Sequence, residues 1–217
     1  MRLGLPSRAL CILLAASGQA EVIDRIAVSV GSSVITTSDI DRDIRVTAFL
    51  NGVPPDFSAA SRRATADRMV EQKLVRRELE ISRYPVPEAS AAEPEFEAFR
   101  KEHYPADAEF QSALAHYGIS EQEVRDEMLW QLTLLRFIEV RFRPAVEVSE
   151  QDVQEYFDRV VKPAAQAAHP GQPVTLDDYR GQIQSTLTGK RADAELDNWL
   201  KETRQRTEIV YHQEAFQ

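Results

Sequence analysis

The amino-acid sequence predicts a mainly α-helical protein that carries a small β-sheet, and three features indicate this fold class. A long apolar helix is predicted at residues 119–144. Further helices with capping signals and apolar stripes lie on both sides of it, and short strand patterns occur near the two ends of the chain. Helices this apolar pack on one another, so we expect a multi-helix domain built around the long helix.

The central helix has clear start and stop signals. Ser120 followed by Glu123 is a capping box, in which the hydroxyl and the carboxylate accept hydrogen bonds from backbone amides, and Pro144 marks the far end. Ten of the fifteen residues from Met128 to Phe142 are apolar, and at about 100° per residue they point in every direction around the axis. A helix that is apolar on all sides is buried, so we expect other helices to surround it.

Six further helices are predicted from caps and apolar spacing. A long one runs from about Ser58 to Arg83, and two short ones lie near residues 93–102 and 107–116. The others begin at Ser38, Ser149 and Thr175. Residues 162–173 are rich in Pro and Ala and show no periodicity, so they are predicted to form a loop.

The helix at residues 58–83 carries a run of basic residues for which two interpretations stay open. The run is either a solvated helix face or a site for an acidic partner, and charge runs on helices are more often solvent-facing. Its members are Arg62, Arg63, Arg68, Lys73, Arg76 and Arg77.

The two strand patterns predict a small sheet that joins the ends of the chain. Residues 22–36 alternate apolar and polar side chains around a turn at Gly31 and Ser32, which is typical of a β-hairpin. Residues 208–212 form a short apolar run that needs a strand to pair with. We expect it to pair with the hairpin, and an Ile209→Pro change to destabilise the domain.

Residues 1–20 have the pattern of a secretory signal peptide. Arg2 and Arg8 precede or border an apolar run at residues 9–16, and small residues follow up to Ala20. We expect export and cleavage between Ala20 and Glu21. The apolar run is too short to span a bilayer, which disfavours the alternative of an uncleaved anchor.

Composition disfavours several classes of partner. Without residues 1–20 the net charge changes from −9 to −11, because two arginines and no acids are removed, and no cysteine remains. An acidic chain is a poor partner for nucleic acid or anionic lipid. No later segment is long and apolar enough for stable membrane insertion after cleavage.

The sequence contains no motif for catalysis, metal binding or a cofactor. Its four histidines lie on different predicted elements, without cysteine partners or HExxH spacing. It has neither a Gly-x-Ser-x-Gly motif nor a glycine loop for phosphates. We therefore predict no catalytic residue, no metal site and no cofactor. The histidines are His103, His116, His169 and His212.

Five aromatic residues around the two short helices are the candidate binding residues. One interpretation is ordinary helical core, since aromatic residues at helical spacing usually pack inward. The other is a cradle for extended apolar segments of other proteins, because exposed apolar surfaces are normally interaction sites. The five are Phe96, Phe99, Tyr104, Phe110 and Tyr117.

Four segments, taken together and in order, resemble the SurA-type periplasmic chaperones and their PrsA-like and trigger-factor-like relatives. In that family a strand-turn-strand leads into a helix begun by a Ser-Asp or Ser-Glu pair, as in residues 24–41. Residues 69–75 resemble the leucine-rich stripe of the next long helix, residues 119–121 the start of the buried helix, and residues 148–156 the exit toward the next domain. The resemblance implies that residues 174–217 return to complete the domain begun by residues 21–161.

The chain departs from this family at residues 162–173. The family usually inserts one or two parvulin-type peptidyl-prolyl isomerase domains after the exit segment, and a folded domain needs about 50 residues or more. Twelve residues are too few. We therefore expect residues 21–217 to form a single chaperone domain that lacks the isomerase.

The resemblance implies an exported, ATP-independent chaperone of the periplasm that holds unfolded envelope proteins, especially outer-membrane proteins. Two alternatives stay open: an adaptor or scaffold for one envelope partner, and, less favoured, a peptidyl-prolyl isomerase. Chains of this family sometimes swap their terminal helices, so a homodimer formed in that way is a further expectation.

Overall fold

A computed structural model describes residues 24–217 and shows a mainly helical fold with one three-stranded sheet, which confirms the predicted fold class. The predicted signal peptide and the bond between Ala20 and Glu21 lie outside these residues. Within them, no helix is both long and apolar enough to cross a membrane. In chain order the elements are β1 (Ile26–Val30), β2 (Ser33–Thr36), α1 (Thr37–Asn51), α2 (Ala59–Ser82), α3 (Glu93–His103), α4 (Asp107–Tyr117), α5 (Glu121–Arg141), α6 (Glu150–Tyr156), α7 (Lys162–Ala168), α8 (Leu176–Arg206) and β3 (Ile209–Tyr211).

The sheet has the strand order β2-β1-β3, and both pairings are antiparallel. The C-terminal strand therefore pairs with the N-terminal hairpin, as predicted from the sequence. Backbone bonds continue the β1–β3 ladder at both ends, from the Gly31 amide to the Glu208 carbonyl and from the His212 amide to the Ala27 carbonyl, each 2.9 Å. Because β1 is central and its Ala27 and Val28 are fully buried, the sheet links the two ends of the described chain to the core.

The sheet-centred core is the largest apolar cluster. It joins β1 and β2 to α1, α2, the C-terminal part of α5 and the C-terminal half of α8. Phe137 of α5 lies at its centre, with its ring 5.5 Å from Tyr84 and Phe142 and 5.6 Å from Trp199 in edge-on arrangements. Such pairs stabilise beyond the area they bury.

A second cluster, the aromatic core, lies where α1 ends against α3, α4 and the start of α5. Phe49 is at its centre and contacts four aromatic rings. Gly118, with φ of +65°, ends α4 in the left-handed conformation that glycine favours. The turn brings α5 back against the same core, and its Ser120–Glu123 capping box forms as predicted.

The third cluster, the distal lobe, is much smaller. It contains α6, the π-helical turn Phe157–Val161, α7 and the N-terminal half of α8, and its buried residues are Val153, Phe157 and Ile183. The Ser149–Asp152 capping box opens α6. Helix α8 has 31 residues, or about 46 Å of length, and its two halves belong to different clusters.

Two expectations about helix boundaries are wrong. Residues 162–173 are not all loop, because α7 occupies Lys162–Ala168 as a direct continuation of the π-helical turn Phe157–Val161, and four alanines in this segment favour helix. Helix α1 is capped by Thr36 and not by Ser38: the Thr36 hydroxyl accepts from the Asp39 amide at 3.2 Å, and the Asp39 carboxylate accepts from the Thr36 amide at 3.1 Å.

Helix α5 is only partly surrounded by other helices, which corrects the expectation that it is buried on all sides. Met128, Trp130, Phe137 and Phe142 are buried, but Leu135 is 60% exposed and the other apolar residues are partly covered. The N-terminal part of α5 packs in the aromatic core and its C-terminal part in the sheet-centred core. The neighbouring helices leave an open side between them, and the candidate site lies there.

Candidate functional site

Folding brings the five predicted aromatic residues together, but most of their surface is used within the protein. Phe96 and Phe110 are fully buried, with their rings 5.9 Å apart. They lie in the aromatic core and offer no surface to a partner, as the interpretation of these residues as core predicts. The cradle interpretation therefore fails for these two.

The other three aromatic residues are partly exposed. Tyr104 stacks on Phe49 at 5.5 Å, and burial raises the pKa of its phenol. Tyr117 donates a hydrogen bond to the Val53 carbonyl at 3.0 Å, which ties the end of α4 to the segment after α1. Phe99 lies 5.7 Å from Phe49, and of the five it is the one that lines a crevice.

Two adjoining crevices run beside α5 and share the residues Arg68, Glu127 and Gln131. We call them together the α5 groove. The first, the Phe99 crevice, has a volume of about 480 Å³ and is lined by Thr47, Leu50, Asn51, Phe99, Met128 and the shared residues. The second, the Trp130 crevice, has a volume of about 310 Å³ and is lined by Glu71, Gln72, Val75, Trp130, Leu134, Leu196, Asp197, Leu200 and the shared residues.

The walls of the groove come from five helices. Helix α5 provides one side of both crevices, α1 and α3 close the Phe99 crevice, and α8 closes the Trp130 crevice, while α2 contributes to both. Each end has apolar side chains, and the shared middle is polar. The arrangement suits a chain segment with apolar residues separated by polar ones.

Charges in the middle of the groove are only partly paired. Arg68 forms an ion pair with Asp43 of α1, and Glu71 forms one with Arg204 of α8 at 3.2 Å. Within residues 24–217, Glu127 has no cation at ion-pair distance; its carboxylate accepts a hydrogen bond from the Gln131 amide at 3.2 Å. Burial, reinforced by the nearby Asp43 charge, raises the pKa of Glu127.

The described residues do not assemble a metal centre, because no group of three or more His, Cys, Asp or Glu side chains within residues 24–217 is placed to hold an ion. Three histidines make aromatic or hydroxyl contacts instead, one of them His116, whose ring lies 5.4 Å from that of Tyr117. His103 lies 4.7 Å from the Phe99 ring, and the His212 imidazole shares a 3.3 Å hydrogen bond with the Ser29 hydroxyl.

Sequence reasoning missed two features of this region. The first is the position of Phe49 at the centre of the aromatic residues, near the end of the helix whose Ile40 and Ile44 are buried in the sheet-centred core. The second is the open side of α5, where Trp130 and Leu134 line the groove although the sequence predicts full burial. The apolar pattern of α5 is compatible with both arrangements, because a helix that is apolar on all sides can also present one side to a groove.

No protein-family model matches the sequence, and no curated protein matches it at a significant level. The functional interpretation therefore depends on the geometry of the α5 groove and on the resemblance of the ordered sequence segments.

Proposed function

We propose that the chain is an exported, ATP-independent holdase that binds unfolded envelope proteins, by resemblance outer-membrane β-barrel precursors. The observation that supports this proposal most directly is the α5 groove, with apolar walls at both ends and a polar middle. The N-terminal sequence pattern supports export, and the ordered resemblance to SurA-type chaperones supports the class of client.

The groove has the chemistry of a reversible binding site for polypeptide. Strands of β-barrel proteins alternate apolar and polar residues. An extended segment of this kind places apolar side chains on Leu50, Phe99 and Leu196 and leaves its polar groups near the middle of the groove. Burial of a few side chains gives a modest affinity, because immobilising a flexible chain opposes binding. Release then needs no nucleotide.

Small-molecule sites usually have volumes of roughly 300–1,000 Å³ and enclose most of their ligand. Both crevices fall within that range of volume, but they adjoin at Arg68, Glu127 and Gln131 and together form a groove along α5, which suits an extended chain better than a small molecule. We therefore propose a binding role without catalysis. The purified chain should not accelerate prolyl isomerisation of a short peptide, and acceleration above the uncatalysed rate would favour the isomerase alternative.

The holdase proposal is tested by light scattering from an unfolded β-barrel protein diluted out of denaturant. The purified chain should suppress aggregation at near-stoichiometric amounts. Scattering that is unchanged even at large excess of the chain would refute the proposal. Co-purification of one stoichiometric envelope protein, without a broad set of clients, would favour the adaptor instead.

Two neighbouring leucines provide a matched test of the groove. Leu134 lines the Trp130 crevice, whereas Leu135 is exposed and lies outside its lining. Leu134→Glu should weaken suppression several-fold, because a carboxylate there disfavours apolar client residues. Leu135→Glu should leave it unchanged. Thermal unfolding of both variants shows whether they are folded; if Leu134→Glu is unstable, Gln131→Glu tests the shared middle of the groove. Equal activity of all variants would place client binding elsewhere.

A further inference from the structure

The basic residues of α2 divide into two sets. The first set forms ion pairs: Arg62 with Asp41 at 2.9 Å, Arg63 with Asp67 at 3.6 Å, and Arg68 with Asp43. The second set is Lys73, Arg76 and Arg77. Among the residues that the structure describes, none of these three has a carboxylate within ion-pair distance. The three residues of the second set are therefore the part of the basic run that remains available to an acidic partner.

The second set lines a pocket of about 340 Å³ between α2, the β1–β2 turn and the end of α8. Three hydroxyl-bearing residues also line it, namely Ser32, Ser33 and Thr207, and Glu80 is its acidic residue. Three cations and one carboxylate give the lining a formal charge of +2, in a chain whose net charge is −9. Positive charge is thus concentrated where the rest of the molecule is acidic.

Lys73 and Arg77 carry most of this positive potential. The Arg76 guanidinium is directed toward α5, since it lies over the Trp130 ring at 4.1 Å and near the Glu127 and Asp126 charges. The Arg77 Nη1 atom lies against the turn, 3.6 Å from the position that a Cβ on Gly31 would occupy. Gly31 has φ of +55°, so the turn needs a residue that tolerates this conformation.

We propose that this pocket binds the phosphate group of a small, soluble phosphomonoester. A guanidinium fork and an ammonium group match the oxygens of a phosphate, and the hydroxyls of Ser32 and Ser33 provide further donors. The Thr207 hydroxyl already donates to the Thr203 carbonyl at 2.9 Å. The number of donors exceeds what the two oxygens of a carboxylate use. The net negative charge of the chain opposes attachment to an anionic membrane surface, which favours a soluble ligand over a lipid headgroup. The site is separate from client binding and does not depend on it.

The first test is a titration with inorganic phosphate and with phenyl phosphate at low ionic strength, in which binding is monitored by NMR. Saturable shifts are expected for the amides of Ser32 and Ser33. The double variant Lys73→Gln, Arg77→Gln should bind at least tenfold more weakly, and Arg77→Lys, which keeps the charge but loses the fork, should be intermediate. The matched control is Arg159→Gln, which changes an exposed arginine of the π-helical turn Phe157–Val161 and should bind normally.

Several results would overturn the proposal. They are shifts that do not saturate, shifts that persist equally in the double variant, or binding that Arg159→Gln weakens to the same degree. Vesicles of phosphatidylcholine with and without phosphatidic acid distinguish the source of the phosphate. Binding to phosphatidic acid vesicles without binding to free phosphate would overturn the assignment to a soluble ligand. Thermal unfolding verifies that each variant is folded.

Discussion

The sheet-centred core and the distal lobe share one helix but differ greatly in what holds them together. The first buries eighteen residues from strands and helices distant in sequence, whereas the second buries Val153, Phe157 and Ile183. Helix α8 crosses both. Because buried apolar area is the main source of stability, the two halves of one continuous helix lie in regions of very different strength.

This difference implies that the molecule does not open uniformly. Regions with few buried contacts unfold locally at a small fraction of the global free energy. We expect α6, α7 and the first turns of α8 to exchange their amide hydrogens well before the sheet does. The Trp130 crevice of the α5 groove is lined by residues of the sheet-centred core, so its walls stay in place when the distal lobe unfolds locally.

Phe137→Ala should have the largest effect on stability. The ring is buried at the centre of the sheet-centred core among three aromatic neighbours, so its removal leaves a cavity. We expect a loss of about 3–5 kcal/mol in urea-induced unfolding. Leu135→Ala, two positions away and exposed, should change stability by about 0.5 kcal/mol or less. Equal losses in the two variants would contradict the location of this core.

Val210→Pro should come next, because it removes a backbone bond from the sheet. The bonds at Gly31–Glu208 and Ala27–His212 flank the pair Ser29–Val210, and antiparallel alternation makes the Val210 amide a donor to β1. The expected loss is about 1–3 kcal/mol, which Val210→Ala should not reproduce.

The register also sharpens the prediction made from the sequence for Ile209. Its amide points away from β1 under the same alternation, so Ile209→Pro should act mainly through lost packing. Destabilisation by Ile209→Pro that is greater than that by Val210→Pro would show that the register is wrong.

Phe157→Ala should have a smaller global effect than either core change. Phe157 is buried, but a change within the distal lobe cannot cost more free energy than the folding of the lobe itself contributes. The loss in the global free energy of unfolding should therefore be less than half that of Phe137→Ala. Hydrogen exchange should nevertheless accelerate strongly in α6 and α7. A global loss as large as that of Phe137→Ala would show that the lobe unfolds together with the body.

Acid should weaken the distal lobe through Asp152. Hydrogen bonds from the Ser149 hydroxyl and amide, and then the Arg191 guanidinium 2.7 Å away, lower the pKa of this carboxyl from 3.8 to about 2. A lowered folded pKa stabilises the fold above the unfolded value, and that contribution is lost as the pH falls from about 4 to about 2. Protection of α6 should fall in this window, and Asp152→Asn should remove the pH dependence.

Glu127 in the groove should respond in the opposite sense. Burial raises its pKa above 4.5, so ionisation at neutral pH costs stability, and the cost disappears as the pH falls through the raised value toward 4.5. Glu127→Gln should therefore be slightly more stable than the natural chain at pH 7, with the difference vanishing at acid pH. A less stable variant at pH 7 would indicate that the carboxylate has a cationic partner.

Local chemistry made much of the fold predictable. The capping boxes at Ser120 and Ser149, the left-handed Gly118 and the pairing of the terminal strand follow from residues close in sequence or from the lack of any other strand partner. The α1 cap lies at Thr36, two residues before the predicted Ser38; each of these residues has an aspartate three positions later, so the capping pattern does not distinguish them.

The site was less predictable because it depends on how helices cover one another. The apolar pattern of α5 indicates burial, but it does not say that two cores take its two ends and leave a crevice between them. Likewise, the spacing of the aromatic residues places both Phe96 and Phe99 among the five candidate binding residues. Phe96 is buried because Phe110 of α4 and Arg125 of α5 cover its ring, whereas Phe99 of the same helix lines a crevice, and this difference follows from packing.

The turn between α7 and α8 has a consequence for engineering. Gly171, with φ of +82°, sits at an exposed tip where no other atoms crowd the backbone, and it lies at the outer end of the weak lobe. Exposed tips of this kind accept inserted domains. A folded module inserted at this point would be attached through α7 and α8 at the distal lobe, away from the sheet. It is also where the resemblance places the isomerase domains of SurA-type chaperones.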